Sequence, residues 1–360
     1  MAWDVDSPET TGAKRGIMTT IESKPIMEFL EYVMTLGMTV MEGRGFYYPV
    51  DTAIGQDARL YVVNRSLDNV TRGVRVTVCD IDSEYYGTFG SFGNKDGQFE
   101  WPSGGAINSR GQVYISDEQL HRISVFDYSG TFLFQWGVHG SGEGELDTPS
   151  GIAFDNQDNL YVSDTYNHRI QKFTADGRFL LNFGSHGQGN GELNLPWGVT
   201  LNGNNDVFVA DWGNDRIQKF SPRGEFLASY GTSGIADGEF QRPSSVAVDG
   251  EGYMYVADWG NERVQVLDPK GGFVMKTRGE ATISNWAANF LSVNAEEGAA
   301  RTRADLEPDI EYFVDVPHEE SAHIEKFFWS PVSVKLDRAG MLFVTESNRH
   351  RIQVYKRSAS

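Results

Sequence analysis

Short stretches of the chain alternate apolar and polar residues at the period of a β-strand, with turn residues between them. Within the stretch from Gly151 to Phe183 four such runs follow one another: Gly151–Phe154, Asn159–Ser163, Arg169–Phe173 and Phe179–Phe183. Asp158-Asn159 and Asp176-Gly177 supply turns between two of the pairs. The pattern predicts four short antiparallel strands. No window approaches about 18 uninterrupted apolar residues, so no spanning helix is expected.

The same unit recurs along the chain. It starts at Pro49, Pro102, Pro149, Pro196, Pro243 and Pro331, at intervals of 53, 47, 47, 47 and 88 residues. An arginine opens each third strand (Arg75, Arg122, Arg169, Arg216, Arg263, Arg351), 20 residues after the proline in five units and 26 in the first. The first unit therefore carries six extra residues near Leu67–Arg72. The fifth interval holds 41 surplus residues (88 − 47), roughly 281–330. Four-stranded sheets repeated at this spacing leave long edges unless they are arranged radially. The expected fold class is therefore all-β, a six-bladed β-propeller of four-stranded blades. The sixth unit stops after its third strand, near Tyr355, and Thr39–Phe46 sits where a fourth strand would precede Pro49. This N-terminal segment is expected to complete the sixth blade. Residues 1–37 read as an extension to a propeller over 38–360, with Lys24–Leu36 a short amphipathic helix.

The string Asn167-His168-Arg169-Ile170, the preceding Tyr161-Val162-Ser163-Asp164 and the Gly-rich lead-in Gly189–Pro196 resemble the NHL repeat, over about residues 45–357. Similar propellers include the peptidyl-hydroxyglycine amidating lyase and the RNA-binding NHL domains of tripartite-motif proteins. In the lyase family, histidines directly after the proline of three blades hold zinc. Here those positions are Val50, Ser103, Ser150, Trp197, Ser244 and Val332. Zinc chemistry of that kind is not expected, and neither a metal nor a cofactor is assigned.

The formal net charge of −19 disfavours polyanions, so nucleic acid and anionic membrane are not expected partners. The single cysteine, Cys79, forbids an internal disulfide and reads as a small apolar filler in its strand. Residues 1–24 hold no apolar signal region, which implies a soluble, cytoplasmic protein.

Candidate chemistry sits where the repeat breaks. Asp51 and Lys335 replace small residues in the strands nearest the axis, in blades that become neighbours when the ring closes. They form either a salt bridge clamping the closure or a ligand-contacting charge pair. Tyr166, Trp197, Trp212 and Trp259 fall on the loop-rich face and are candidate ligand or partner contacts. His121, His168 and His350 share a repeat position with Asp215 and Glu262, which implies a turn or hydrogen-bond role. The strand-opening arginines and the acids Asp117, Asp164, Asp211, Asp258 and Glu346 are expected to form internal salt bridges. In the insertion, His318 and His323 are one residue too far apart for His-Glu-x-x-His, although Glu320 and His323 share a helix face.

These features imply a binding module. Its loop-rich face, partly capped by the insertion, would present itself to a protein partner or small ligand. The alternative is a lyase or hydrolase with its site at the channel mouth, drawing on Asp51, Lys335, Glu320 and His323.

Overall fold

The computed structural model describes residues 29–67, 70–310 and 316–358. Six four-stranded antiparallel sheets form a closed ring. Blade three runs Pro149–Phe154, Asn159–Asp164, Arg169–Thr174 and Phe179–Phe183, within two residues of the bounds expected from alternation. The first strands of neighbouring blades pack on one another around the axis. Small residues are required there: a Cβ added at Gly151 would meet the Trp197 carbonyl oxygen at 2.5 Å.

Between each pair of blades lies one apolar core, such as Tyr114, Ile152, Val162 and Phe173 between blades two and three. Cys79 is buried in the core between blades six and one. Burial pushes its thiol up to about 12, so it stays protonated and packs as an apolar group.

An N-terminal strand does close the sixth blade, but it is Leu30–Leu36 and not Thr39–Phe46. It pairs antiparallel with Arg351–Arg357, from Leu30 opposite Arg357 to Leu36 opposite Ile352. The helix expected over Lys24–Leu36 is accordingly a strand from Leu30 onward, while Lys24–Glu28 lie outside the described residues. Burial against Tyr355 and Ile352 outweighs local helical periodicity, because an unpaired outer edge of blade six would stay open.

Thr39–Phe46 has a different task. A bridge joins Thr39 to Phe46, as others join His139 to Leu146, His186 to Leu193 and Ser233 to Phe240 in later units. It is the connector leading into blade one, and Phe46 is buried like those counterparts.

The insertion supplies three helices: α1 (Asn285–Val293), α2 (Ala295–Arg303) and α3 (Pro317–His323). Ser284 caps α1, accepting from Ala287 N–H at 3.2 Å. Its hydroxyl also donates to the Gly37 carbonyl. Trp286 is buried against Phe46 and Tyr85, and its indole N–H donates to the Ser83 carbonyl at 2.6 Å. These contacts fasten α1 across the outside of the seam between blades six and one. No described helix is long and apolar enough to cross a membrane.

Candidate functional site

Two positions of the repeat, drawn from five of the six blades, converge at the loop-rich mouth of the ring. One directly follows the proline, and the other directly follows the residue that ends the second strand, Asn64 in blade one and an acid in the others. From the first set come Val50, Ser103, Trp197, Ser244 and Val332, and from the second Arg65, Trp212, Trp259 and Ser347. With Ser330 and Asn348 they line a cavity of about 290 Å³.

Three of the residues make one aromatic wall. The Trp197 and Trp212 rings lie 6.2 Å apart at 36°, and those of Trp212 and Trp259 lie 6.4 Å apart at 40°. The Arg242 guanidinium sits 4.8 Å over Trp212. Arg65 brings the cavity its one cationic side chain, and Glu118 neutralises it through two contacts of 3.2 and 2.5 Å. The Arg65 guanidinium also stacks on Trp101 at 4.7 Å. Arg65 belongs to the same register position as Trp212 and Trp259, so aligning the units reveals it.

Tyr166 does not join this wall. In blade three the position of Trp212 is held by Thr165, whose hydroxyl pairs with Ser150 Oγ at 2.6 Å and donates to the Pro196 carbonyl at 2.8 Å. Tyr166 is one residue later and 60% exposed. Of the described insertion residues, Ser330 alone lines the cavity. Among the described residues the expected cap lies at the rim: α1 covers the seam, and α3 rests on blades five and six, with His318 Nδ1 2.7 Å from Glu262 and the Ser321 carbonyl accepting from Arg349.

Below the cavity the axis narrows to about 20 Å³, room for about one water. Asp51 is buried there, and Lys335 Nζ lies 3.1 Å from its Oδ2. Its Oδ1 accepts from Ser333 Oγ at 2.5 Å and Thr52 N–H at 2.9 Å, and its Oδ2 from Gly105 N–H at 2.9 Å. The carboxylate thus ties blades six, one and two together, and no lone pair is left for a ligand. Glu320 and His323 are elsewhere. Glu320 pairs with Arg278, and His323 Nδ1 contacts the Glu319 carbonyl at 2.8 Å. The four charged candidates do not converge.

The strand-opening arginines form four of the five expected ion pairs: Arg169–Asp164, Arg216–Asp211, Arg263–Asp258 and Arg351–Glu346, at 2.6 to 2.7 Å. Blade two departs. Its loop has Leu120 where blades three, four and five place Asn167, Asn214 and Asn261, and Asp117 instead accepts N–H groups of Glu100, Trp101, Gln119 and Leu120. Arg122 donates to the carbonyls of Asn94, Lys95 and Gln98.

The interchangeable His, Asp and Glu position proves to be an acceptor. Each such side chain receives the backbone N–H of the residue before the next blade's proline. His121 accepts from Thr148 at 3.1 Å, His168 from Leu195 at 3.1 Å, Asp215 from Arg242 at 2.7 Å, Glu262 from Ser330 at 2.6 Å and His350 from Tyr48 at 2.8 Å. All five donors have positive φ, between 48° and 58°. This bond ties each blade to the next at a strained residue. His121, His139 and Asp147 place ligand-type atoms within 4.8 Å of one another. However, the His121 Nδ1 lone pair is already taken by Thr148.

A histidine acceptor must be neutral at Nδ1, which makes this bond sensitive to acid. Burial pushes His350 down to about 4 from its ordinary 6.5. Between those values the unfolded chain binds the extra proton, so stability present at neutral pH is lost as pH falls from 6.5 towards 4. The expected loss is up to about 3 kcal/mol. Urea midpoints measured from pH 7 to 4.5 should fall, and His350→Gln, which keeps an acceptor, should flatten that slope. An unchanged slope in His350→Gln would remove His350 as the cause. Burial also lowers His121 and His168, adding in the same direction.

Fold and mouth together define a six-bladed β-propeller with an aromatic-walled axial cavity. The NHL repeat family pattern matches residues 146–173 and 193–220, so the propeller carries NHL repeats in blades three and four. No curated protein sequence matches it. Among solved structures it is similar to a streptogramin B lyase at 13% identity and a TM-score of 0.55, over 92% of this chain and 98% of that one. A protein of unknown function from Bacteroides thetaiotaomicron aligns at 18% identity and a TM-score of 0.58, over 91% and 75% of the two chains. A gluconolactonase from Xanthomonas campestris aligns at 13% identity and 0.54, over 88% of each. At such identities the likeness carries the fold alone.

Proposed function

We propose that the chain is a binding propeller whose axial mouth takes a small, uncharged, ring-bearing molecule. The observation that supports this reading is the tryptophan wall facing a cavity whose single arginine is already neutralised. Tilted indoles offer broad apolar faces to a flat or pyranose ring, and Ser103, Ser244, Ser330, Ser347 and Asn348 offer polar partners from the remaining lining. A charged ligand would find no free countercharge among the lining residues. A macromolecular partner would engage the same mouth through an inserted ring.

Isothermal titration with phenyl β-glucoside tests this. Saturable one-to-one binding is expected, and Trp212→Ala should weaken it by about tenfold, the loss of about 1–1.5 kcal/mol of aromatic contact. Absence of saturable binding, or equal affinity in Trp212→Ala, would overturn the assignment. Release of phenol that is abolished by Asp51→Asn would favour the hydrolase reading instead.

A further inference from the structure

Away from the axial mouth, the insertion builds a second cavity, of about 360 Å³, on the rim of blade six. It lies between the end of the N-terminal strand, the connector residues Met38–Val40, α1 and the segment Arg349–Arg351. Met38, Val40, Ala287, Phe290 and Leu291 give it an apolar lining, and its charged lining residues are Arg301, Arg349, Arg351 and Glu325.

Two of these cations have their own carboxylates. Arg301 makes a two-pronged contact with Glu325 at 2.7 and 2.5 Å, and Arg351 pairs with Glu346 at 2.7 Å. Arg349 has no carboxylate within ion-pair distance among the described residues. Its Nη2 donates to the carbonyls of Ser321, Ala322 and Ile324 at 2.7, 3.2 and 3.2 Å. Its Nε–H is buried with no acceptor. The guanidinium lies 5.3 Å over the Trp329 ring, and a half-buried cation without a carboxylate partner is costly unless an anion answers its charge. The surplus cation stands out in a chain of net charge −19.

We propose that this rim cavity binds a small anion carrying an apolar chain, of the medium-chain carboxylate class. The head group meets Arg349, and the chain lies along the Ala287, Phe290 and Leu291 face of α1. The volume falls within the usual range of about 300–1,000 Å³ for small-molecule sites. The site is separate from the axial mouth and does not depend on the reading given to it.

The test is isothermal titration of the full chain with decanoate, 1-decanol and acetate as separate probes. Decanoate should bind one to one, and decanol and acetate at least about tenfold more weakly, since each lacks one half of the recognition. Arg349→Met should weaken decanoate at least about tenfold. Because Arg349 also holds the carbonyls at the end of α3, that variant is paired with Ala287→Phe, which fills the cavity and leaves Arg349 intact. Ala287→Phe should keep the wild-type thermal transition and lose decanoate binding. Trp212→Ala should leave decanoate binding unchanged. The proposal is overturned if decanoate does not bind, if decanol binds as tightly, if Ala287→Phe retains full affinity, or if Trp212→Ala is the variant that loses it.

Discussion

Leu36→Asp is expected to cost about 4 kcal/mol or more, while Val33→Asp in the same strand changes stability by about 0.5 kcal/mol or less. Leu36 is 2% exposed and packs with Phe46, Leu60, Val62, Ile352, Val354 and Trp286, whereas Val33 is 38% exposed. The core it enters belongs to blades six and one, the seam of the ring. Five blades are formed from consecutive strands, but blade six is held shut by pairing between the two ends of the described chain. An aspartate at Leu36 either buries an unpaired charge or pulls the strand away, and the second outcome opens the propeller. Thermal and urea unfolding of both variants provide the measurement. Equal losses in the two, or a wild-type transition in Leu36→Asp, would show that the N-terminal strand does not carry the closure.

Removing the Asp258 carboxylate is expected to have a similar effect, because of the donors it leaves behind. Its Oδ2 accepts from Arg263 Nε at 2.6 Å, Asn261 at 2.9 Å and Gln265 at 3.1 Å, and its Oδ1 from Gln241 N–H at 2.8 Å. Burial pushes this carboxyl above the usual range, against the lowering by those same donors. The net worth of the intact pair is therefore modest, but breaking it strands Arg263 in the interior. Asp258→Ala should lose about 3–5 kcal/mol. The double variant Asp258→Ala/Arg263→Met should lose less than the sum of the two single changes. Strict additivity in denaturant unfolding would mean that the two groups do not act as a unit.

Much of this architecture is legible in the sequence because a propeller unit repeats its constraints. Six prolines, each followed by an arginine at 20 residues in five units and at 26 in the first, locate the blades. The lead-in pattern also held the information that corrects the closure. Phe46 lies three residues before Pro49, as Leu146, Leu193 and Phe240 lie before Pro149, Pro196 and Pro243. That register marks Thr39–Phe46 as a connector and places the closing strand earlier. Composition around Lys24–Leu36 pointed to a helix because apolar spacing in a short segment does not distinguish an amphipathic helix from a strand edge.

The candidate site was legible only in part. Alignment of units points to Trp197, Trp212 and Trp259, since a tryptophan among serines and threonines stands out. Tyr166 was drawn in by its loop, yet it lies one residue past the wall position in the 3-10 turn Thr165–Asn167, where it is exposed. Arg65 shares the register position of Trp212 and Trp259 and could have been found by aligning the units, but its neutralisation by Glu118 is visible only in the structure. The interchange of His, Asp and Glu did reveal a shared need, and the structure supplies its object, a backbone N–H at a strained turn.

By itself the sequence determined the number of blades, their register, the acceptor positions, four of the five ion pairs, and the absence of histidines at the post-proline positions. These follow from local spacing, which every copy of a repeat must satisfy to stack on the next. Only the tertiary structure decided that Asp51 is spent on Ser333, Thr52, Gly105 and Lys335, that Arg65 is neutralised by Glu118, and that the described insertion residues strap the rim and bring only Ser330 to the mouth. Those outcomes depend on which side chains meet across the ring, between residues as far apart as Asp51 and Ser333, and spacing along the chain carries no record of them.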